Sequence, residues 1–272
     1  MRVRFKWVLM MPLLVLLMAG CQSKVTKTST LKKVVAEKVT KKPEITWHHV
    51  KGNPKVPILM YHSISPSTNS LRIPANQFKQ QMKWLKERKY YTLTPADAER
   101  VFLKHEVPNR PYVWLTFDDG YEDNFKVVYP TIVREKMNAT INFITSFSKH
   151  KGHLTTEQAQ TMLDSKHIAI ESHTVKHQDL DVLNEQQQTR ELMDSKRWLD
   201  KTFSQQTDII CYPAGRANEF TANVAKKAGY KLGLTTQPGL GDLNDGPYNL
   251  KRVRMVPNMS KKQYFNLIKN GE

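Results

Sequence analysis

One uncharged run sets the terms for the fold. Tyr112-Val113-Trp114-Leu115-Thr116-Phe117 is apolar and aromatic with β-branched Val113 inside it, and it runs directly into Asp118-Asp119-Gly120. A strand with two hydrophobic faces needs cover on both, as in a parallel sheet. Adjacent strand residues point to opposite faces. Asp118 and Asp119 can therefore serve one site only if the chain turns there, which Gly120 permits. Both carboxylates then stand at the carboxyl end of a strand, where α/β folds carry their chemistry.

A second cluster, His167 to His177, holds a short apolar strand and then places His173 and His177 four residues apart. Two imidazoles at that spacing can converge on one cation from a helical turn or a tight loop. With one carboxylate from the first stretch the set is Asp-His-His. Zinc in a catalytic site takes three such ligands and leaves a position open for water. Cobalt, nickel and iron suit the same donors. An isolated Asp-Asp-Gly reads as a turn, and an isolated His-x-x-x-His as a surface pair. Each at the end of an apolar strand, they read together as a metal site.

Thr116-Phe117-Asp118-Asp119-Gly120 followed by Ser172-His173-Thr174-x-x-His177 resembles the polysaccharide deacetylases, carbohydrate esterase family 4, over roughly Val56 to Val256. The resemblance implies an α/β fold, a distorted (β/α) barrel, and metal-dependent removal of acetyl groups from glycans. It makes Asp118 the general base and Asp119, His173 and His177 the metal ligands. Tyr61-His62-Ser63 resembles the opening strand of the branch that acts on poly-N-acetylglucosamine and puts His62 near the metal mouth. Tyr212-Pro213-Ala214-Gly215 resembles the family's Tyr-Pro-x-Gly segment, implying an oxyanion-binding N–H near Tyr212 and a substrate wall that includes Pro213 and Gly215. The chain departs from the pattern twice. Ile209-Ile210-Cys211 stand where many members carry an Arg that contacts the base, leaving Arg216 or Arg254 to substitute, and no His follows His177. The acid role falls to His62, with a metal-bound water as the fallback.

The rest of the domain alternates strand and helix, as βα architectures do. Phe78, Met82 and Leu85 recur at three and four within Ile73–Lys89, an amphipathic helix with Trp84 beside it. Thr155 with Gln158, Asn184 with Gln187, and Ser260 with Gln263 are capping boxes, and Gly229 closes a helix begun at Asn218. Asp242–Gly246 reads as a surface loop whose oxygen spacing does not match an EF-hand.

Before the domain, Arg2, Arg4 and Lys6 precede an apolar run that ends in Met18-Ala19-Gly20-Cys21. A basic start, a short apolar core and small residues make an export signal, too short for a confident membrane span. Its end resembles a bacterial lipobox, which implies cleavage before Cys21 and lipid on its thiol. The expected organisation is a signal over 1–20, a lysine-rich flexible tether over 21–55 and the deacetylase domain over 56–272. The expected location is the outer face of the cell membrane.

With Cys211 the only other cysteine, a lipidated Cys21 leaves no intramolecular disulfide to form. A formal charge of +17 suits an anionic envelope. Export and the lack of any nucleic-acid-binding motif argue against nucleic acid. The expected partners are an N-acetylated glycan and the membrane, with a monomer as the working state. The favoured substrate is poly-N-acetylglucosamine. Peptidoglycan, chitin-like oligomers, an O-acetylated glycan and a non-catalytic glycan-binding role remain open at this point.

Overall fold

The structure, a computed structural model, describes residues 45–66 and 68–272. The expected signal, Cys21 and the tether as far as residue 44 lie outside the described residues. Among the described residues no helix is long and apolar enough to cross a membrane.

The chain runs β1 (Trp47–His49), β2 (Ile58–Tyr61), α1 (Ala75–Glu87), β3 (Tyr91–Thr92), α2 (Pro95–Lys104), β4 (Glu106–Pro108) and β5 (Tyr112–Phe117). It continues through α3 (Tyr129–Glu135), β6 (Ala139–Phe143), α4 (Thr156–Asp164), β7 (Ile168–Ser172) and α5 (Glu185–Phe203). It ends with β8 (Ile209–Cys211), α6 (Glu219–Ala228), β9 (Leu232–Pro238), β10 (Leu250–Arg254) and α7 (Lys261–Asn270). The strands pair in the order β2-β10-β9-β8-β7-β6-β5, and β5 pairs back onto β2. All seven neighbours are parallel, so the sheet closes into a (β/α) barrel, as expected. β3 adds a short ladder beside Tyr112 and Val113.

Period-two alternation sorts each strand between two layers. Val113, Leu115 and Phe117 pack with Phe78, Met82 and Leu85 of α1 and with residues of α4, α5 and α7. Trp114 joins Ile58, Ile209, Cys211, Leu232, Leu234 and Leu250, with Val101 and Phe102 of α2 beside them. The same parity continues in polar residues, since Trp114 Nε1 donates to Thr140 Oγ1 at 2.9 Å and Thr116 Oγ1 to the Leu59 carbonyl at 2.9 Å. Toward the carboxyl end of the strands the packing thus changes from apolar to hydrogen-bonded.

The expected capping boxes of α4, α5 and α7 form, and α2 and α6 carry boxes of their own at Thr94–Asp97 and Asn218–Thr221. Gly229 closes α6 at φ 87. One difference lies at the amino end, where the domain starts before Val56. Trp47–His49, expected in the tether, pairs antiparallel with Glu106–Pro108. Trp47 meets Tyr91 edge-on at 6.2 Å and lies under Arg100 at 4.4 Å. Three-residue strands are too short to show a period, and the aromatic anchor Trp47 overrides the polar composition around it.

Trp114 is fully buried at the join of β5 with the barrel interior. Trp114→Ala should lower unfolding stability by about 3–5 kcal/mol, read by thermal or denaturant unfolding. Trp114→Phe, which keeps an aromatic ring, should lose less.

Candidate metal and catalytic site

The turn after β5 is made by two residues in the left-handed region, Asp119 at φ 75 and Gly120 at φ 64. Asp118 still belongs to the sheet, its N–H donating to the Tyr61 carbonyl at 2.9 Å. A non-glycine residue at positive φ is strained and is retained where the surroundings enforce it. Here the turn delivers both carboxylates to one cleft of about 240 Å³, lined by His62, Asp118, Asp119, His173, His177 and Arg254 among others.

Asp119 Oδ1 lies 3.4 Å from His173 Nε2 and 3.3 Å from His177 Nε2. Ligand atoms around one tetrahedral ion at about 2.0–2.1 Å stand about 3.4 Å apart, so these three atoms fit a cation between them. His173 Nδ1 bonds the Cys211 carbonyl at 2.7 Å, which puts the proton on Nδ1 and leaves the Nε2 lone pair free for a metal. The histidine loop is a tight turn and not a helix, with Thr174 at φ 67 and His177 at φ 57. Glu191 Oε2 accepts the Val175 and Lys176 N–H groups at 2.9 and 2.8 Å, and Thr174 Oγ1 accepts that of His177 at 3.1 Å. Burial pushes the His177 pKa down, but its hydrogen bond to Asp119 together with the charges of Asp119 and Asp118 outweighs this and leaves it raised.

Asp118, His173 and Cys211 also bring donor atoms together. That group is a poor cation site. The Cys211 thiol is pushed well up by burial and stays protonated, and Asp118 already faces a cation.

That cation is Arg252, fully buried in β10 and missed in the sequence reading. Its Nη1 donates to Asp118 Oδ1 at 2.9 Å and its Nη2 to Oδ2 at 2.7 Å, a bidentate pair. Nε bonds the Thr235 carbonyl at 2.6 Å, and Asn142 Nδ2 donates to Asp118 Oδ1 at 2.7 Å. Burial raises the Asp118 pKa, but the Arg252 charge and hydrogen bonds outweigh it and hold the carboxyl well below the usual carboxylate range. The arginine expected from elsewhere is therefore supplied by the last barrel strand. Arg216 instead pairs with Asp179 at 3.2 Å and Asp181 at 3.7 Å near the surface. Arg254 lines the cleft and is not the Asp118 partner. The available signal was Arg252 falling in register with buried Leu250, because a charge on an otherwise buried face needs a partner.

His62 stands where the resemblance implied, its Nε2 3.8 Å from Asp118 Oδ2. Its carbonyl accepts from Asn124 Nδ2 at 3.0 Å, and Asn124 opens a π-helical turn, Asn124–Val128, that the sequence reading did not anticipate. Burial, helped by the Arg252 and His173 charges, lowers the His62 pKa more than Asp118 and Asp119 raise it.

The Tyr212 segment differs from what the resemblance implied. The Tyr212 N–H donates to the Leu234 carbonyl at 3.0 Å within the sheet, so it is not available to a substrate. The Tyr212 side chain is buried with Leu180, Leu192 and Tyr230. Pro213 is buried beside it, and Gly215 is structural, since a Cβ there would lie 2.4 Å from the Thr236 nitrogen. Ala214, at φ 50, is the residue of this segment that lines the cleft.

Removing one member of a buried ion pair leaves the other uncompensated. Arg252→Met should cost about 3–5 kcal/mol of stability, measured by denaturant unfolding, and adding Asp118→Asn to it should restore part of the loss. With the guanidinium gone the Asp118 pKa rises, so the acid limb of the pH–activity profile of Arg252→Met should move to higher pH.

Residues 105–233 match the family described as "Polysaccharide deacetylase". The chain is 47% identical over 227 residues to "Putative polysaccharide deacetylase YxkH" of Bacillus subtilis, covering 83% of this chain and 81% of that protein. It is 27% identical over 229 residues to the Staphylococcus aureus "Poly-beta-1,6-N-acetyl-D-glucosamine N-deacetylase", covering 77% of each. Among solved structures, "Streptococcus pyogenes deacetylase PplD in complex with acetate" superposes with a TM-score of 0.77 at 35% identity, covering 80% of this chain and 99% of that one. With a closed parallel barrel, paired carboxylates at a strand end and two histidines facing one of them, this chain belongs to the polysaccharide deacetylases.

Proposed function

We propose that the protein hydrolyses N-acetyl groups from N-acetylglucosamine residues of an extracellular polysaccharide, with poly-N-acetylglucosamine as the favoured substrate. The observation that carries this is the pairing, in one cleft, of a carboxylate pinned by Arg252 with three cation ligands on its neighbouring residue and the histidine loop. The substrate choice draws support from Tyr61-His62-Ser63 and from the name of the Staphylococcus aureus relative. The acetate in the Streptococcus pyogenes structure is what such a hydrolysis releases.

Asp119, His173 and His177 would hold the divalent cation, zinc first among those the donors suit. When bound, it polarises an acetyl carbonyl and acidifies a water. Asp118 is the general base, and the Arg252 guanidinium, which holds its pKa well below the usual carboxylate range, favours its ionised form. A base that weak gives its proton up readily. His62, 3.8 Å from Asp118 Oδ2, would take that proton on and hand it to the leaving amine. Because Ala214 lines the cleft while the Tyr212 N–H is used within the sheet, the Ala214 N–H would be the one to meet the oxyanion.

The non-catalytic alternative rested on an absent arginine and an absent late histidine. Arg252 fills the first gap. Residues 1–20 would serve as the export signal and Cys21 as the lipidated residue, leaving the enzyme on the outer membrane face with a basic surface toward anionic polymers.

Acetate release from poly-N-acetylglucosamine, peptidoglycan and chitin oligomers, with and without chelator, tests this reading. Release should be fastest on the first and stop with chelator. Asp118→Asn should lower kcat about 10²–10⁴-fold with metal content kept, whereas His173→Ala should lose the metal itself. No release from any of the three polymers by the metal-loaded chain would overturn the proposal.

A further inference from the structure

Between α1 and α7 lies a groove of about 600 Å³, larger than the catalytic cleft. Nine residues line it and none is charged, in a chain where 25% of residues are. Most are amides. Gln77 Nε2 donates to Asn258 Oδ1 at 2.8 Å and the Asn258 N–H returns to Gln77 Oε1 at 2.7 Å, tying the segment before α7 to α1. Deeper in, Gln81 is 2% exposed and its Oε1 accepts the Tyr61 hydroxyl at 2.9 Å. Among the described residues nothing accepts from its amide NH₂, and Gln81 lines the groove. That amide opens onto the groove, where it is free to donate to a bound ligand. Trp84, half-buried and tilted against Tyr264 at 5.6 Å, forms an aromatic side of the same groove.

Amide donors and acceptors beside an indole suit a neutral sugar, whose hydroxyl and acetamide groups take hydrogen bonds while its ring face lies on the aromatic. The neighbouring groove that includes Arg88, Lys261, Lys262 and Lys269 is cationic, so an anionic polymer has a better place to sit. α1 and α7 follow β2 and β10, whose carboxyl ends lead to His62 and carry Arg252. The near ends of both helices therefore lie at the barrel end that holds Asp118. We propose that the α1–α7 groove is a second binding subsite, built around the Gln81 amide and Trp84, that holds a neutral N-acetylated stretch of the polymer away from the reacting sugar. The assignment of the bound glycan rests on the deacetylase reading above.

The test uses the full chain with N-acetylglucosamine di- and hexasaccharides. Gln81→Met removes the amide at similar size, and Gln80→Arg places a long cation on an exposed groove residue with no fold to lose. In both variants the ratio of KM for the hexasaccharide to KM for the disaccharide should rise about fivefold to tenfold, the loss expected for one or two neutral hydrogen bonds. Calorimetry with the Asp118→Asn chain should show hexasaccharide affinity falling by the same factor when either change is added. An unchanged ratio in an active enzyme overturns the groove and leaves the deacetylase reading intact. Hexasaccharide binding that Gln81→Met weakens, with no acetate release by the parent chain, keeps the groove and overturns that reading. Polyphosphate binding that Gln80→Arg strengthens, with no hexasaccharide binding, overturns the neutral-glycan assignment.

Discussion

The buried pair of Arg252 and Asp118 is the interaction on which the site depends. Two full charges taken out of water cost several kcal/mol each unless their geometry is satisfied. Here it is satisfied on nearly every side. The guanidinium makes two bonds to the carboxylate, one to the Thr235 carbonyl and one to Thr116 Oγ1 at 3.2 Å, while Asn142 meets the carboxylate from β6. Five strands thus contribute to one polar knot, counting Cys211 of β8, whose Sγ lies 3.6 Å from Asp118 Oδ1. The closed barrel is what lets β10 face β5 across its interior.

That pairing divides the labour of two adjacent carboxylates. Asp118 remains in the sheet and faces inward to a guanidinium. Asp119, one residue later at φ 75, faces two imidazoles. Without the turn they would point to opposite sides of the strand. Without Arg252, Asp118 would be a second anion beside Asp119, and repulsion would push one of them toward protonation. The arginine therefore keeps Asp118 ionised next to the Asp119–His173–His177 cluster while remaining sealed from solvent itself. In the same way the Cys211 carbonyl sets the proton on His173, and Glu191 fixes the loop that carries His177.

The barrel and the grouping of Asp119 with His173 and His177 were legible in the sequence because their signals are local. A doubly apolar run ending in Asp118-Asp119-Gly120 and a strand ending in His173-x-x-x-His177 each carry period and chemistry together. Capping boxes at Thr155, Asn184 and Ser260 gave helix starts for the same reason. Arg252 was not legible. In a chain with 42 Lys and Arg, an arginine inside Leu250-Lys251-Arg252-Val253-Arg254 looks like ordinary surface charge until closure places β10 beside β2. Likewise the resemblance pointed to Tyr212, but the ladder with β9 uses its N–H and carries the chain one turn further, to Ala214. The β1–β4 pair gave no signal, since only tertiary packing of Trp47 makes its three residues a strand.

The central claim is that Asp118 stays with Arg252 while Asp119, His173 and His177 hold the cation. X-ray absorption spectroscopy on the zinc-loaded chain tests it most directly. The account predicts a shell of nitrogen and oxygen scatterers at about 2.0–2.1 Å with two imidazole signatures and no sulfur. A sulfur scatterer at about 2.3 Å would place the metal on Cys211 and contradict it.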